Sequence, residues 1–268
     1  MTIFTPADHG SARAATRAYE TLAPFYDRFM AGCRYGPWLD GIEEWALAAG
    51  LRGNRLLDAA CGTGKSFEPM LGKGYRVTAF DISPAMVEEA RRRAAKRATV
   101  IVGDMRDLPW DSRFDLVTCI DDAINYLLTE DDLLAALRSM RRSLRPGGIL
   151  VFDTNSLNTF RTTFAEEFET RCGDTHFRWR GEAHADFPAG STAAATIEIT
   201  AGTHQTSSWH LQRHWTVAKL RETCRMAGLT RITFRGQMPG CRLMGDPDED
   251  SHTKILCLAA RPIRGGAP

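Results

Sequence analysis

The stretch "DAACGTGKS", Asp58 to Ser66, follows the apolar run "RLL", and its reading decides the fold. An apolar run entering a glycine turn is a strand handing over to a ligand-binding loop. The end of the stretch, Gly62-Thr63-Gly64-Lys65-Ser66, has the look of a phosphate-cradling P-loop. That loop requires Gly-x-x-x-x-Gly-Lys-[Ser/Thr], and counting back from Gly64 places its first glycine at Ala59. A second near-match follows in "LVTCIDD" (116–122), which resembles the apolar strand plus Asp that holds magnesium in nucleotide hydrolases. Charge decides between the readings. Asp58 stands at the mouth of the loop, where a carboxylate repels phosphate and suits a ligand carrying an ammonium group. The turn Cys61-Gly62-Thr63-Gly64 then lets backbone approach that ligand closely, as glycine permits.

Working outward, strand-like runs alternate with helical ones. "RLLDAA" (55–60), "YRVTAF" (75–80), "ATVIV" (98–102), "FDLVTCI" (114–120) and "GILVFDT" (148–154) are short and apolar throughout, as suits strands buried on both faces. Between them lie "SPAMVEEARRRAAKR" (83–97), opened by Ser83 and Pro84, and "TEDDLLAALRSMRRSLRPGG" (129–148), opened by Thr129. Repeated β-α-β predicts a doubly wound α/β fold with ligands at the strands' carboxyl ends. From about 160 to 215 the chain becomes polar and alternating, the pattern of antiparallel strands exposed on one face. A helix (216–228) and strands at 230–236 and 254–260 complete the core. The expected architecture is a Rossmann-like, mostly parallel seven-stranded sheet with a β-rich antiparallel insertion after strand five. Its expected divisions are 1–159, 160–215 and 216–268.

Two further strands end in acid. Asp81 closes the second in "FDIS", where a carboxylate meets ribose hydroxyls. Asp104 closes the third in "VGDMRDLPW", where an adenine amino group can donate to it. Three consecutive strands ending in Asp describe a site for an adenosine bearing a cation.

Composition bounds the partners. With 34 Lys and Arg against 33 Asp and Glu, the chain lacks the basic excess of a phosphate-backbone binder, so no nucleic-acid partner is expected. The basic runs at 91–97 and 140–145 lie on amphipathic helical patterns and read as solvated faces. The seven cysteines include no Cys-x-x-Cys pair, which argues against a zinc knuckle or a disulfide framework. The opening residues lack a signal-peptide core and no stretch is long enough for a bilayer. The expectation is a cytoplasmic monomer or homodimer with no membrane partner.

Taken together, "LLDAACGTGK…FDIS…GDMRDLP…FDLVTCIDDAINYL…LRPGGILVFD" resembles the class I S-adenosylmethionine-dependent methyltransferases, closely over about 19–155 and loosely beyond. The loop departs from the usual acidic-x-Gly-x-Gly pattern by carrying Ala60 where the first Gly often sits. The resemblance implies S-adenosyl-L-methionine as cofactor. It implies binding by Asp58, Ala60, Cys61, Gly62 and Gly64 in the loop, and by Asp81, Ile82, Asp104, Met105 and Ile120 on the following strands. "YETLAPFYDRFM…YGPWLDGIEEWA" is similar to a subgroup methylating small molecules, including amino-sugar and other natural-product amines. There a Tyr-bearing helix closes over the cofactor, which implies Tyr19 and Tyr26 as lid residues, with Tyr35 and Trp38 near the methionine end. Tyr26 and Trp38 equally admit a core reading, and Phe25 and Phe29 read as a helix's core face.

The implied reaction is methyl transfer to an amine or hydroxyl of a small-molecule acceptor, a secondary metabolite or modified sugar. The rival readings are a non-catalytic S-adenosylmethionine-binding protein and a P-loop-like nucleotide enzyme. At the end of strand four, "CIDDAINYL" offers Asp122 and Tyr126 as catalytic groups and Asp121 and Asn125 as acceptor contacts, or else an Asp-rich helix cap with Tyr packed inward. "FDTNS" adds Asp153 and Asn155 at the end of strand five. In the insertion, His210 and His214 share one face of an extended strand. His214 is the candidate base, with Arg213 a rival acceptor contact, and no metal site is expected.

Overall fold

The five apolar runs form the parallel part of one sheet. The computed structural model describes residues 10–263. Strands β1 (Arg55–Ala59), β2 (Arg76–Asp81), β3 (Thr99–Val102), β4 (Phe114–Cys119) and β5 (Leu144–Asn155) pair in the order β3-β2-β1-β4-β5. Beside β5 the last strand, β12 (Lys254–Ala260), runs antiparallel, and β10 (Thr230–Met238) runs antiparallel to β12. A two-residue edge strand, β11 (Arg242–Leu243), makes this an eight-stranded sheet, one more than the seven runs visible in the sequence.

Both faces of the sheet are covered, which explains why its strands do not alternate in polarity. Leu56, Leu116 and Val151 pack with Trp38, Ile42 and Trp45 of α2 (Tyr35–Ala48). On the other face, Leu57, Val117 and Leu150 pack with Leu133 and Leu137 of α5 (Glu130–Ser143) and Leu220 of α7 (Val217–Met226). The caps read from the sequence are formed. Ser83 Oγ accepts from Met86 N at the start of α4 (Pro84–Ala94), and Thr129 Oγ1 from Asp132 N at the start of α5. Helix α5 stops at Ser143 and β5 begins at Leu144, because Pro146 cannot continue a helix.

Strand order reverses between β1 and β4, and this opens a crevice at their carboxyl ends. Helix α1 (Gly10–Phe29) crosses that crevice. A second, antiparallel sheet of β6 (Glu167–Cys172), β7 (Thr175–Gly181), β8 (Thr192–Ala201) and β9 (His204–Arg213) packs on the helix's outer side. Leu22 meets Phe177, Ile197 and Ile199 there, while Phe29 lies 5.4 Å from Phe177 ring to ring and Phe25 stacks on His204. The helix is thus held between crevice and cap. Among the described residues no helix is long and apolar enough to cross a membrane.

Candidate active site

The loop after β1 turns by placing Ala60, Gly62 and Gly64 at φ of +64°, +53° and +90°. Ala60 pays about 1 kcal/mol for that conformation, and the turn is kept by its anchors. Cys61 N donates to Phe80 O (3.0 Å) and Gly62 N to Asp81 Oδ2 (2.8 Å). The other Asp81 oxygen accepts from Ser83 N at 2.9 Å. Asp81 therefore shapes the loop from one side while lining the cleft on the other, and burial pushes its carboxyl up to about 6.

The cleft has about 910 Å³ of empty volume, including its open mouth. Ala60, Cys61, Gly62, Asp81, Ile82, Asp104, Met105, Ile120, Asp121 and Tyr126 all line it, as do Tyr19, Tyr26 and Tyr35 from the lid side. Asp104 is gripped by Arg106, whose Nε lies 3.0 Å from both carboxylate oxygens and whose Nη1 reaches Asp132 at 2.6 Å. Sequence reading missed the clasp that fastens α1 over the loop. Thr63 Oγ1 donates to Asp27 (2.6 Å), Arg93 on α4 pairs with the same carboxylate, and Lys65 Nζ donates to Met30 O (2.8 Å).

At the carboxyl ends of β4 and β5 the chain gathers three carboxylates around one lysine. Lys254 Nζ, from the first residue of β12, lies 3.2 Å from Asp121, 2.8 Å from Asp122 and 2.8 Å from Asp153. Asp121 Oδ2 accepts from the hydroxyls of Tyr26 (3.1 Å) and Tyr35 (2.6 Å), so the lid closes on this carboxylate. Burial opposes its ionisation, yet Lys254 and the Tyr35 hydroxyl hold it below the ordinary carboxylate value. Burial raises Asp122 despite Lys254, and raises Asp153 to about 6. Asp121 and Asp122 both sit at left-handed φ, +68° and +56°, a strain sustained by these contacts.

Several expected contacts lie elsewhere. Asp58 is 1% exposed and turned inward, its oxygens taken by Ser66 Oγ (2.5 Å) and Thr118 Oγ1 (2.8 Å). It braces the loop instead of meeting a ligand. Gly64 supplies the turn, and a side chain there would strike the Phe67 ring, 2.6 Å from an added Cβ. Trp38 is buried in the core, with Lys254 Nζ 5.6 Å above its ring. Asn125 is a structural pin: its amide donates to Thr154 Oγ1 and Arg213 O, both at 2.8 Å, and its carbonyl accepts from Asn155 N. Asn155 donates to Gln212, which in turn donates to Asp122. Arg213 lies over the Trp215 ring and donates to Gly190 O and Leu128 O.

His214 is also remote from the cleft. Its Nδ1 accepts from Gly190 N and its Nε2 faces Glu249 at 3.5 Å. Four residues of extended chain span about 13 Å, so two histidines on one strand face do not reach one site. His210 is the nearer one: buried behind Tyr126, which lines the cleft, it has Nδ1 2.8 Å from the Tyr126 hydroxyl. Alternation identified the face, and the docking of β9 on α1 chose the residue. Lys254 gave no local signal at all. Among the described residues no group of three metal-type side chains is placed to hold an ion.

The model of the methyltransferase domain family matches residues 56–148. YqeM of Bacillus subtilis (strain 168), a methyltransferase by name, is 32% identical over 172 residues, 63% of this chain and 68% of that one. The cypemycin N-terminal methyltransferase of a Streptomyces species is 30% identical over 217 residues, 75% and 82% of the two chains. The crystal structure of an S-adenosylmethionine-dependent methyltransferase from Clostridium acetobutylicum shares the fold, with a TM-score of 0.74 at 21% identity over 91% of this chain and 99% of that one. The chain belongs to the class I S-adenosylmethionine-dependent methyltransferases.

The cleft of this methyltransferase fits that cofactor by its donor set. Each Asp81 oxygen already holds one backbone N–H and has capacity for a further donor, as two ribose hydroxyls require. Ile82 and Met105 supply apolar lining that would flank adenine, and the Ala60–Gly62 backbone would border the methionine end. Among the described residues lining the cleft, neither cation is free for phosphate, since Lys65 is turned to Met30 and the Tyr35 ring and Arg106 is tied to Asp104 and Asp132; the Ser66 hydroxyl is bound to Asp58. The nucleotide reading of Gly-Thr-Gly-Lys-Ser fails on these contacts.

Proposed function

We propose that this methyltransferase acts on the nitrogen of a small-molecule amine, such as a modified sugar or another natural-product building block. The carrying observation is the acidic end of the cleft: Asp121 lines it, Asp122 and Asp153 lie behind Asp121, and among the described residues the three carboxylates share a single cation, Lys254. Such a field favours cationic partners, an ammonium group and a sulfonium alike, and disfavours an anionic acceptor. The cypemycin relative is named for methylating an N-terminus. Relatives matched over shorter stretches divide between nitrogen and oxygen: a Saccharopolyspora spinosa deoxyamino-sugar N,N-dimethyltransferase and a Serratia marcescens malonyl-acyl carrier protein O-methyltransferase. The choice of nitrogen therefore rests on the site.

Bound S-adenosylmethionine supplies a methyl group made electrophilic by its sulfonium. What remains for the protein is approach and exclusion of water. Tyr26 and Tyr35, donating to Asp121, hold α1 and α2 over the carboxyl end of β4 and close that end to solvent. An acceptor drawn in as an ammonium releases one proton to solvent before it can attack; the neutral amine then needs no base, so no side chain has to carry a full proton transfer in the methylation step.

The test is release of S-adenosylhomocysteine with paired acceptors, amino sugars and peptides with an N-terminal amine against their hydroxyl counterparts. Turnover is expected with amines. Turnover confined to the hydroxyl partners would sink the proposal.

A further inference from the structure

One chain of hydrogen bonds runs from the cleft into the cap, and its direction can be worked out. Tyr19 Oη lies 3.0 Å from Tyr126 Oη, Tyr126 Oη 2.8 Å from His210 Nδ1, His210 Nε2 2.8 Å from Ser208 Oγ, and Ser208 Oγ 2.7 Å from Ala18 O. The far end fixes the polarity. A carbonyl oxygen only accepts, and two oxygens at 2.7 Å need a hydrogen between them, so the Ser208 hydrogen points at Ala18 O. Ser208 Oγ must then accept from His210, which places the imidazole proton on Nε2 and leaves Nδ1 an acceptor. Tyr126 therefore donates to Nδ1, and Tyr19 donates to Tyr126. The imidazole and Ser208 are buried, so water does not reset the order. Burial lowers the His210 pKa to about 4, which keeps the ring neutral at ordinary pH.

The consequence falls on Tyr19, whose ring lines the cleft. Its one hydrogen is committed to Tyr126, and its oxygen lone pairs remain for a ligand. We propose that Tyr19 Oη is a hydrogen-bond acceptor for the substrate's N–H, and that His210, acting through Tyr126, is the positioning residue that keeps it so. This rests on the amine reading of the acceptor. Holding an N–H against Tyr19 turns the nitrogen lone pair away from that bond and fixes its direction of attack. Primary and secondary amines carry the needed N–H. A neutral tertiary amine does not, so methylation ends at the tertiary product.

Two measurements test the proposal. Nitrogen-15 NMR of the ligand-free protein is expected to show His210 protonated on Nε2 and not on Nδ1, a result that needs no acceptor. A proton on Nδ1 would overturn the proposal. The second compares turnover in variants, with S-adenosylhomocysteine affinity checking that each is folded. Tyr126→Phe and His210→Phe are expected to lower kcat/KM for the amine about tenfold, roughly the worth of one hydrogen bond, with cofactor affinity unchanged. His210→Asn, whose Oδ1 can accept from Tyr126, is expected to recover most of the loss, which a space-filling role for His210 would not predict. Equal losses in His210→Asn and His210→Phe, or a quaternary product from the wild type, would overturn it. A wild type that methylates only hydroxyls would defeat the amine reading instead, and the NMR result would still decide the hydrogen-bond direction.

Discussion

Asp81→Asn changes one oxygen to an NH₂ group on the side chain that anchors the glycine loop and lines the cleft. In the wild type the two carboxylate oxygens accept from Gly62 N at 2.8 Å and Ser83 N at 2.9 Å. An asparagine amide has one acceptor oxygen, so its nitrogen must face one of those two N–H groups, donor against donor. One backbone bond is lost, and one ribose hydroxyl loses a charged partner. Hydrogen bonds to charged groups contribute about 1.5–3 kcal/mol each. If the backbone loss falls on the folded loop and the ribose loss on the ligand, affinity falls by about tenfold to a hundredfold. Destabilisation of the loop appears separately, as a melting-temperature drop of about 3–10 °C for a chain of this size. Calorimetric titration with S-adenosylhomocysteine and a thermal melt separate the two. The pH dependence adds a sign. Burial holds the Asp81 carboxyl near 6, and hydroxyl donors favour its ionised form. Wild-type affinity is therefore expected to weaken as pH falls from 7.5 to 5, while the asparagine variant stays flat. A variant within threefold of wild type, or one with the same pH profile, would refute the assignment of Asp81 to the ribose.

Lys65→Ala removes the bond to Met30 O and the contact over Tyr35, so S-adenosylhomocysteine affinity is expected to fall only about fivefold, the equivalent of ~1 kcal/mol. A titration showing magnesium-ATP binding that depends on Lys65 would contradict the site. Lys254→Met leaves Asp121, Asp122 and Asp153 without their shared cation and is expected to cost about 3–5 kcal/mol by denaturant unfolding at pH 7. Because Asp153 already titrates near 6 and Asp122 is raised, part of that loss should return as these carboxyls protonate at pH 5; a loss unchanged with pH would mean that charge is not its cause. Gly103→Ala sets a Cβ 2.0 Å from the Phe80 ring, which lines the cleft, so about 1–3 kcal/mol of overpacking strain is expected together with weaker cofactor binding. An unaltered melt and titration would show that the ring has room to move.

Much of the site was legible because it is local. The apolar runs, the glycine turn, Asp81 at the end of β2 and Asp104 after β3 each sit within a few residues of the strand end that places them. Their surroundings follow from the strand-turn-helix geometry. Lid tyrosines came from the family resemblance, and the cleft is lined by Tyr19, Tyr26 and Tyr35. Asp58 shows where this kind of reading stops. It ends a strand as Asp81 does, but Thr118 from β4 and Ser66 from the turned loop claim its oxygens, and neither partner is visible from a charge at a loop mouth.

The sequence by itself determined what short-range physics dictates: continuous apolar strands for a sheet covered on both faces, Ser83 and Thr129 as helix caps, and the left-handed turn at Gly62. Tertiary structure alone decided the pairings made at long range. Lys254 meets Asp121 because β12 inserts antiparallel between β5 and β10, bringing together residues 133 apart in the chain. His210 and not His214 reaches Tyr126 because the packing of β9 on α1 sets which part of that strand faces the crevice. Local conformation is set by each residue and its nearest neighbours. Which buried charge or hydroxyl finds which partner depends on how strands and helices dock, and hydrophobic packing distributed over the whole chain fixes that docking.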